Sequence, residues 1–396
     1  MPNNDNNPIL NPVPREHESA EDNYTLTEVQ LANRNSGIPL EVLRHDVTPV
    51  GMHYLLTHFD IPYVENRNDW NLAVMGLVSS EQALTLNDLE QMPVKHQVVT
   101  MECAGNGRTS QRPRWRSMPW TCEAVGTAKW TGTSLRHIFE VAGLDQRATT
   151  IVFSGADSGI DGGHVHRFER SLSIEQAMQE EVMLAWKIND QELPPQHGYP
   201  LRLVVPGWYG MASVKWLNKI TVTDKPFEGY QQVKTYTFRQ SADEPGVPVS
   251  HMRVRSLMIP PGIPDWYSRR RLLSRGQTRL RGRAWSGAGV AVETVQFAIQ
   301  TINGESLGSG SSSTSNDELQ WVEANLQAPT SQFSWQGWHF DWTADPGHYR
   351  LLCRATNADG QVQPLEPLWD RGGFGNNAVQ SMDVWVEDEL PGNTSN

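Results

Sequence analysis

The segment VVTMECAGNGR, residues 98–108, decides how the first half of this chain folds. Its apolar residues predict a short buried strand that ends at Cys103, and the glycines that follow predict a loop. A thiol at such a strand end can point into a cavity. The guanidinium of Arg108 favours the thiolate, which is the form that binds soft metals. The alternative interpretation is an inert core cysteine, the commoner case for a buried thiol.

A second segment, PQHGYPLRLVVPGWYGMASVKWLNK at residues 195–219, places a strand between a His-Gly turn and a Pro-Gly turn. His197, Arg202 and Lys215 would cluster if both ends of this strand face one pocket. Backbone amides in the same segment would add an anion-binding nest, at Gly207, Gly210 and Ser213. The pattern indicates a phosphate or pyrophosphate site. The alternative is that Arg202 and Lys215 are solvated surface charges.

Strands and helices alternate around these segments, which predicts an α+β domain over residues 46–250. Strands are predicted at residues 70–78, 98–103, 151–154, 182–188, 201–206 and 214–222. Helices are predicted at residues 80–92, 173–179 and 135–142, the last with Ser134 as its cap. We expect the glycine- and aspartate-rich residues 155–163 to form a loop. Residues 1–45 are polar, and rich in Asn and Pro at the start, which predicts an extended N-terminal arm.

Helical patterns fade after about residue 250, and short strands separated by turn residues replace them. Strands are predicted at residues 280–285, 294–300, 338–342, 349–355 and 379–386. Their spacing predicts that residues 251–396 form a β-sandwich of immunoglobulin type. The low-complexity stretch GSGSSSTS, residues 308–315, is predicted to be a flexible hairpin tip.

The formal net charge of -12 argues against nucleic-acid binding, because nucleic-acid binders usually carry a basic surface. Arginines nevertheless crowd residues 269–283. They are interpreted as a solvated surface, with a partner surface or an anion channel as alternatives. Three cysteines do not make a disulfide framework and fit a reducing compartment. Neither a signal peptide nor a long apolar run is visible, so we expect a cytoplasmic protein without a membrane span.

Three segments taken in order resemble the sulfite oxidase family of molybdenum-cofactor oxidoreductases. TMECAGNGR is similar to the family's cysteine motif, HGYPLRLVVPGWYGMASVKWL to its pterin-binding segment, and WDRGGFGNNAVQ at residues 369–380 to its C-terminal signature. The resemblance covers roughly residues 45–390. It implies a molybdopterin-binding α+β domain followed by an immunoglobulin-like domain that forms a homodimer.

The resemblance also implies a role for particular residues. Cys103 matches the thiolate ligand of the metal. Other positions match contacts to the pterin and its phosphate: His58, Asp157, His197, Arg202, Ser213, Val214 and Lys215. Arg108 matches an arginine near the metal, Trp120 a wall of the substrate pocket, and Tyr236 a tyrosine near the equatorial oxygen. The sequence shows no haem-attachment motif, so we expect a separate electron acceptor.

The chain departs from sulfite-oxidising relatives at three positions. Leu56 stands where they have an arginine two residues before the first histidine, and Gly372 stands at the site of a second arginine, with Arg371 beside it. Thr235 replaces the aspartate before the pocket tyrosine. Arginine binds oxyanions best, so these changes affect the expected substrate more than the expected cofactor.

Function is therefore expected to be oxidation of sulfite or a related reduced sulfur compound. One alternative is a molybdenum-dependent reductase of an S- or N-oxide, and another is a non-catalytic, dimeric protein that binds a pterin or anion. His164 and His166 form an H-x-H pair. It is interpreted as a polar wall near the cofactor, with a transition-metal site as the alternative.

Overall fold

The computed structural model describes residues 23–302 and 319–390. Two sheets form the first part of the chain. One has the strand order β2-β1-β10-β5-β6, and the other has the order β3-β4-β7-β8 with β9 also paired to β7. The strands, with a small hairpin β11-β12 after them, are β1 Asn71–Gly76, β2 Gln82–Thr85, β3 Val94–Glu102, β4 Val125–Ser134, β5 Thr150–Asp161, β6 His164–Ser173, β7 Met183–Ile188, β8 Gln191–Glu192, β9 Arg202–Val204, β10 Leu217–Thr223, β11 Thr237–Phe238 and β12 Val247–Pro248.

The helices of this part are short. They are α1 Leu26–Arg34, α2 Leu86–Glu90, α3 Leu135–Ala142 and α4 Ile174–Ala177, with 3-10 turns at Leu40–Arg44, Val50–Met52, Arg67–Asp69, Arg108–Ser110, Pro195–His197 and Gly210–Ala212 and a π-turn at Gln231–Thr235. Helix α3 buries the four side chains that its sequence pattern predicted, and the Ser134 hydroxyl accepts a hydrogen bond from the Arg136 amide at its start. Within the described residues, every helix is too short or too polar to cross a membrane.

Two predictions of secondary structure, one helix and one loop, were wrong. The predicted helix over residues 80–92 begins with β2, which pairs with β1, and only then becomes helical. Thr85 starts α2 with a capping box to Asp88, so the helix begins at that cap. The predicted loop over 155–163 is mostly strand. Strand β5 continues to Asp161, and a turn at Gly162 and Gly163, both with positive φ, leads into β6.

After residue 250 the described strands form two sheets. Their strand orders are β13-β16-β20-β19 and β14-β15-β22-β21-β17-β18. The strands are β13 Arg255–Met258, β14 Ile263–Pro264, β15 Arg271–Ser274, β16 Gly276–Trp285, β17 Val292–Thr301, β18 Val322–Glu323, β19 Asn325–Leu326, β20 Gln336–Ala344, β21 Gly347–Asn357 and β22 Gln380–Glu387. The apolar side chains between them form a separate core, as expected for a β-sandwich. The predicted hairpin tip at residues 308–315 lies outside the described residues.

The two parts share a buried interface. Trp285, Trp335 and Phe374 of the second part pack into the largest apolar core of the first part. A buried ion pair joins Glu102, on β3, to Arg255, on β13 (3.1 Å). The second part therefore packs directly against β3, the strand that leads to Cys103.

The N-terminal segment is less extended than its composition predicted. Of residues 23–45, helix α1 and the turn at Leu40–Arg44 fold onto the body. Two members of the arginine-rich stretch are buried beside this turn. Arg271 pairs with Glu41, and Arg283 donates to Leu43 O and pairs with Asp46. The interpretation as a solvated surface is thus wrong for these two arginines, although others of the stretch form exposed pairs.

Candidate active site

A cavity lies where the ends of several first-part elements meet. Its walls come from three sequence regions: the segment before β1, the loop after β3, and the turns on either side of β9. The lining residues are His53, Tyr54, Leu55, Leu56, His58, Met101, Cys103, Ala104, Asp157, Phe168, His197, Arg202, Gly210, Met211, Ser213, Lys215, Trp216 and Tyr236. We call this space the inner cavity.

Cys103 directly follows β3, as the sequence predicted, and is 6% exposed. Its amide donates to Ala124 O, and Asn106 fixes the next turn by donating to the Glu102 carboxylate and accepting from the Ala124 amide. Burial raises the pKa of the Cys103 thiol, and the charge of Arg108 opposes this rise. Arg108 thus acts in the expected direction, but desolvation is the larger effect. Binding of a metal cation would displace the thiol proton.

One end of the inner cavity is cationic. Arg202 donates to His197 O and Ser213 O, and Lys215 donates to Leu56 O and Gln196 O. The two stems approach each other at Gly198, where φ is +106° and a Cβ would lie 3.1 Å from Lys215 Cβ. The Nε of Arg202 is buried without a hydrogen-bond partner among the described residues. An unpaired buried guanidinium donor beside an ammonium is a feature that an anionic group would satisfy.

Burial shifts the ionisable groups of this cavity strongly. It lowers the pKa of Lys215 to about 7 and, with help from its cationic neighbours, the pKa of His197 to about 2. Burial raises the pKa of Asp157 to about 6, although Lys215 opposes that rise. Arg202 keeps its charge because burial lowers its pKa only to about 10. The cavity therefore offers positive charge and neutral imidazoles, a combination that suits a phosphorylated ligand.

Tyr236 closes the inner cavity on the side of Cys103. Its hydroxyl lies 2.7 Å from His58 Nε2, and burial lowers the pKa of His58 to about 3. A neutral imidazole can accept the phenolic proton in a hydrogen bond. The buried Arg170 holds the chain around this tyrosine by donating to Gln231 O and Val249 O, and its guanidinium lies 5.8 Å from the centre of the Tyr236 ring.

A second and wider space, which we call the outer cavity, adjoins the inner one. Its volume is about 530 Å³, and it shares Leu56, His58, Cys103 and Tyr236 with the inner cavity. Arg108 and Trp120 line its inner end. Arg108 donates to Gly372 O and Met118 O, so the C-terminal signature forms part of this wall. Cys103 therefore lies where a narrow, cationic inner cavity meets a wider outer one.

Most residues that the sequence singled out line one of these cavities. The outer cavity is lined by Arg108, Trp120 and Tyr236, and the inner one by the predicted cofactor contacts His58, Asp157, His197, Arg202, Ser213 and Lys215. Val214 is the exception, because its side chain packs in the apolar core while its carbonyl accepts from the Leu203 amide.

The structure adds residues that the sequence did not indicate. His53, Tyr54 and Met101 line the inner cavity, and Arg170 supports Tyr236. The H-x-H pair at His164 and His166 lies on β6, where His166 bonds to Gln231 and both rings pack near Tyr230. Among the described residues, no group of three or more His, Cys, Asp or Glu side chains is placed to hold a metal ion. The interpretation as a wall near the cofactor is wrong, because the described residues that line the two cavities include neither histidine.

Two family models match this chain. Residues 58–231 match the model described as "Oxidoreductase molybdopterin binding domain", and residues 248–386 match the "Mo-co oxidoreductase dimerisation domain". The chain belongs to the sulfite oxidase family of molybdenum-cofactor oxidoreductases. The inner cavity is built largely from residues of the first match, and the outer cavity takes about half of its wall from them.

Curated relatives include both sulfite-oxidising and nitrate-reducing enzymes. Mitochondrial sulfite oxidase from Homo sapiens is 30% identical over 89% of this chain and 64% of its own length. Nitrate reductase 1 from Arabidopsis thaliana is 28% identical over 87% of this chain and 39% of its own length. The chain thus spans less than two thirds of these relatives. Sulfite oxidase from Arabidopsis thaliana is 27% identical and matches 83% of this chain and 85% of its own length.

The fold also resembles a solved structure. The crystal structure of the sulfane dehydrogenase SoxCD from Paracoccus pantotrophus superposes with a TM-score of 0.72 and 23% identity, over 95% of this chain and 89% of that one. This likeness shows that the two proteins share a fold.

Proposed function

We propose that this protein oxidises sulfite or a related reduced sulfur compound by oxygen-atom transfer at a molybdenum centre bound to Cys103. The observation that carries the proposal is the position of Cys103 at the junction of the two cavities. A thiolate at this junction would hold a metal between a cofactor in the inner cavity and a substrate in the outer cavity.

The inner cavity fits the molybdenum cofactor. Arg202 and Lys215 would bind its phosphate, and the unpaired Arg202 Nε supports this assignment. His58, Asp157 and His197 would contact the pterin, and Ser213 with the Val214 backbone would border it. When bound, the cofactor supplies the two-electron redox chemistry and the oxygen that is transferred.

Residues of the outer cavity would then handle the substrate. The Arg108 guanidinium would attract an anionic sulfur group to the inner end, and Trp120 would wall that end against water. Tyr236 would orient a polar oxygen or pass a proton to His58, whose Nε2 lies 2.7 Å from its hydroxyl. Protons released on oxidation need such an acceptor, because the surrounding walls are buried.

Reduction of an oxyanion is the second candidate. Two observations favour considering it: the similarity to nitrate reductases, and Leu56 in place of an expected arginine. A less cationic inner end would bind a monoanion such as nitrate more readily than the sulfite dianion. The two candidates share the cofactor and differ in the direction in which the oxygen atom moves.

Metal analysis followed by two assays tests these proposals. Protein expressed with molybdate is expected to contain about one molybdenum per chain, because of the described cysteines Cys103 alone lines the two cavities. Sulfite-dependent reduction of ferricyanide would support the first proposal, and nitrate reduction by a dye donor would support the second. Absence of molybdenum from protein made in a cofactor-replete host would refute both.

Homodimer formation and a separate electron acceptor are further proposals. The match to a dimerisation domain over residues 248–386 supports the dimer. Sedimentation analysis of the intact chain is expected to give twice the chain mass, and a monomer at micromolar concentration would contradict this proposal. We also keep the proposal of a cytoplasmic location, which fractionation of the native host would test.

A further inference from the structure

The outer cavity is much larger than an inorganic substrate requires. Its volume is about 530 Å³, whereas sulfite has only four heavy atoms. Pockets for organic ligands of ordinary size enclose roughly 300–1,000 Å³. The wall also contains an aromatic side chain, Trp115, that is 44% exposed. Both features indicate a ligand with an organic body.

Charge in the outer cavity is strongly one-sided. Five cationic side chains line it against one carboxylate, Asp161, in a protein whose net charge is negative; the cations are Arg108, Arg116, Lys234, Arg239 and Arg371. Only Arg108 adjoins Cys103, and the other four lie farther along the chain and toward the mouth. The positions where an inner arginine was expected hold Leu56 and Gly372.

The outer cations are held in place by the fold. The guanidinium of Arg371 stacks over the Trp115 ring at 5.1 Å from its centre, and its amide donates to Arg239 O. Arg239 in turn donates to Lys234 O (2.9 Å) and to Thr237. A stacked guanidinium keeps its edge available for a carboxylate or phosphate, which is the geometry of bidentate anion binding.

We propose that the outer cavity binds an organic sulfur anion that carries a second acidic group. The reacting sulfur, as a sulfinate, would lie at the inner end near Arg108. An aromatic or apolar body would contact Trp115, and a distal carboxylate would pair with Arg371 and Arg116. The oxidation of the sulfur rests on the function proposed above, whereas binding of the organic anion does not.

The chemistry of this step balances. A sulfinate, RSO₂⁻, and one water give the sulfonate RSO₃⁻, two protons and two electrons. A sulfur–oxygen bond forms from the sulfur lone pair, both O–H bonds of water break, and two equivalents of a one-electron acceptor such as ferricyanide take the electrons. One negative charge at the reacting group matches the single cation, Arg108, at the inner end.

The test combines binding with kinetics on the molybdenum-loaded protein. Calorimetry with 4-sulfobenzoate, the product-like sulfonate, measures binding without turnover, and 4-carboxybenzenesulfinate and sulfite serve as substrates. Arg371→Gln is expected to weaken 4-sulfobenzoate binding and to lower kcat/KM for the organic sulfinate, each by about tenfold or more, as for loss of a charge-assisted hydrogen bond. Sulfite kinetics should change less than about twofold, and Trp115→Ala should also weaken the organic ligand.

The matched control is Arg275→Gln, which removes an exposed, ion-paired arginine on the second part of the chain and should leave both ligands unaffected. Equal losses for sulfite and the organic sulfinate in Arg371→Gln would overturn the proposal, because Arg371 would then serve the inner end. Failure of 4-sulfobenzoate to bind would overturn it too. Arg371-dependent binding without oxidation of either substrate would support the cavity's ligand class and refute the proposed oxidation.

Discussion

The ion pair between Glu102 and Arg255 should contribute more to stability than any exposed pair in this protein. Both side chains are buried, with 1% and 3% of their surfaces exposed. Glu102 also accepts from Asn106 (3.0 Å) and from the Trp285 indole (2.9 Å), so its carboxylate is fully engaged. Replacing Arg255 with Met would leave that carboxylate buried without its cation, which costs about 3–5 kcal/mol.

Urea unfolding of four proteins measures this coupling: the parent, Arg255→Met, Glu102→Gln and the double variant. Each single variant is expected to lose several kcal/mol, because each leaves one buried partner unpaired. The double variant should lose less than the sum by about 2 kcal/mol or more, because neither charge then remains. Arg275→Met, which breaks the exposed pair with Asp388, is the control and should cost less than about 1 kcal/mol.

Losses that add within about 0.5 kcal/mol would refute this reasoning, because they would show that the two side chains do not interact in the folded protein. A loss for Arg255→Met no larger than that of the Arg275 control would refute it as well. Since Glu102 precedes Cys103, the same variants also test whether the second part of the chain supports the loop that presents the thiol.

Three further predictions concern the cavities. Cys103→Ser should abolish turnover and remove the thiolate-to-metal absorption while leaving the unfolding midpoint near that of the parent; full activity would rule out Cys103 as the ligand. Leu56→Arg, compared with Leu56→Met, should lower KM for sulfite by about tenfold, because it restores a guanidinium on the wall that both cavities share; an unchanged KM would count against a sulfite site. Burial lowers the pKa of His53 to about 4, below its unfolded value of 6.5, so the unfolded chain binds the extra proton and stability is lost as pH falls from 6.5 toward 4. His53→Gln should therefore reduce the slope of unfolding free energy of the cofactor-free protein in this window by about 1.4 kcal/mol per pH unit, and an unchanged slope would show that His53 is solvated.

The sequence predicted those site residues that sit within short, distinctive segments. Cys103 follows an apolar strand directly, and Arg202 and Lys215 flank glycine turns around a second strand, so local pattern alone indicated their environment. Helix α3 was predictable for the same reason, since its buried face repeats with helical spacing. In each case, neighbours in sequence are also neighbours in the fold.

Side chains that depend on distant partners could not be predicted in this way. Arg170 supports Tyr236 by binding carbonyls 61 and 79 residues away. Arg283 donates a hydrogen bond to the turn at Leu40–Arg44, which is 240 residues away in the sequence. Nothing in the local pattern distinguishes these arginines from solvated ones, which explains why the stretch at residues 269–283 was interpreted as surface. The strand predicted at residues 151–154 ended too early for a related reason. Glycine and aspartate favour a loop in the sequence, but β6 pairs with these residues and β5 continues.

The two cavities differ in which part of the chain builds them, and under the proposed function this difference would separate cofactor binding from substrate choice. Residues between 53 and 236 alone line the inner cavity, whereas the outer cavity also takes Arg371, Gly372 and Phe374 from the C-terminal signature. Substitutions in residues 369–380 can therefore change the charge and width of the substrate space while the cofactor contacts stay intact. Because Gly372 O accepts from Arg108, a change there also reaches the cation nearest Cys103. The junction between the two parts of the chain is thus where members of one fold can acquire different substrates without rebuilding the metal site.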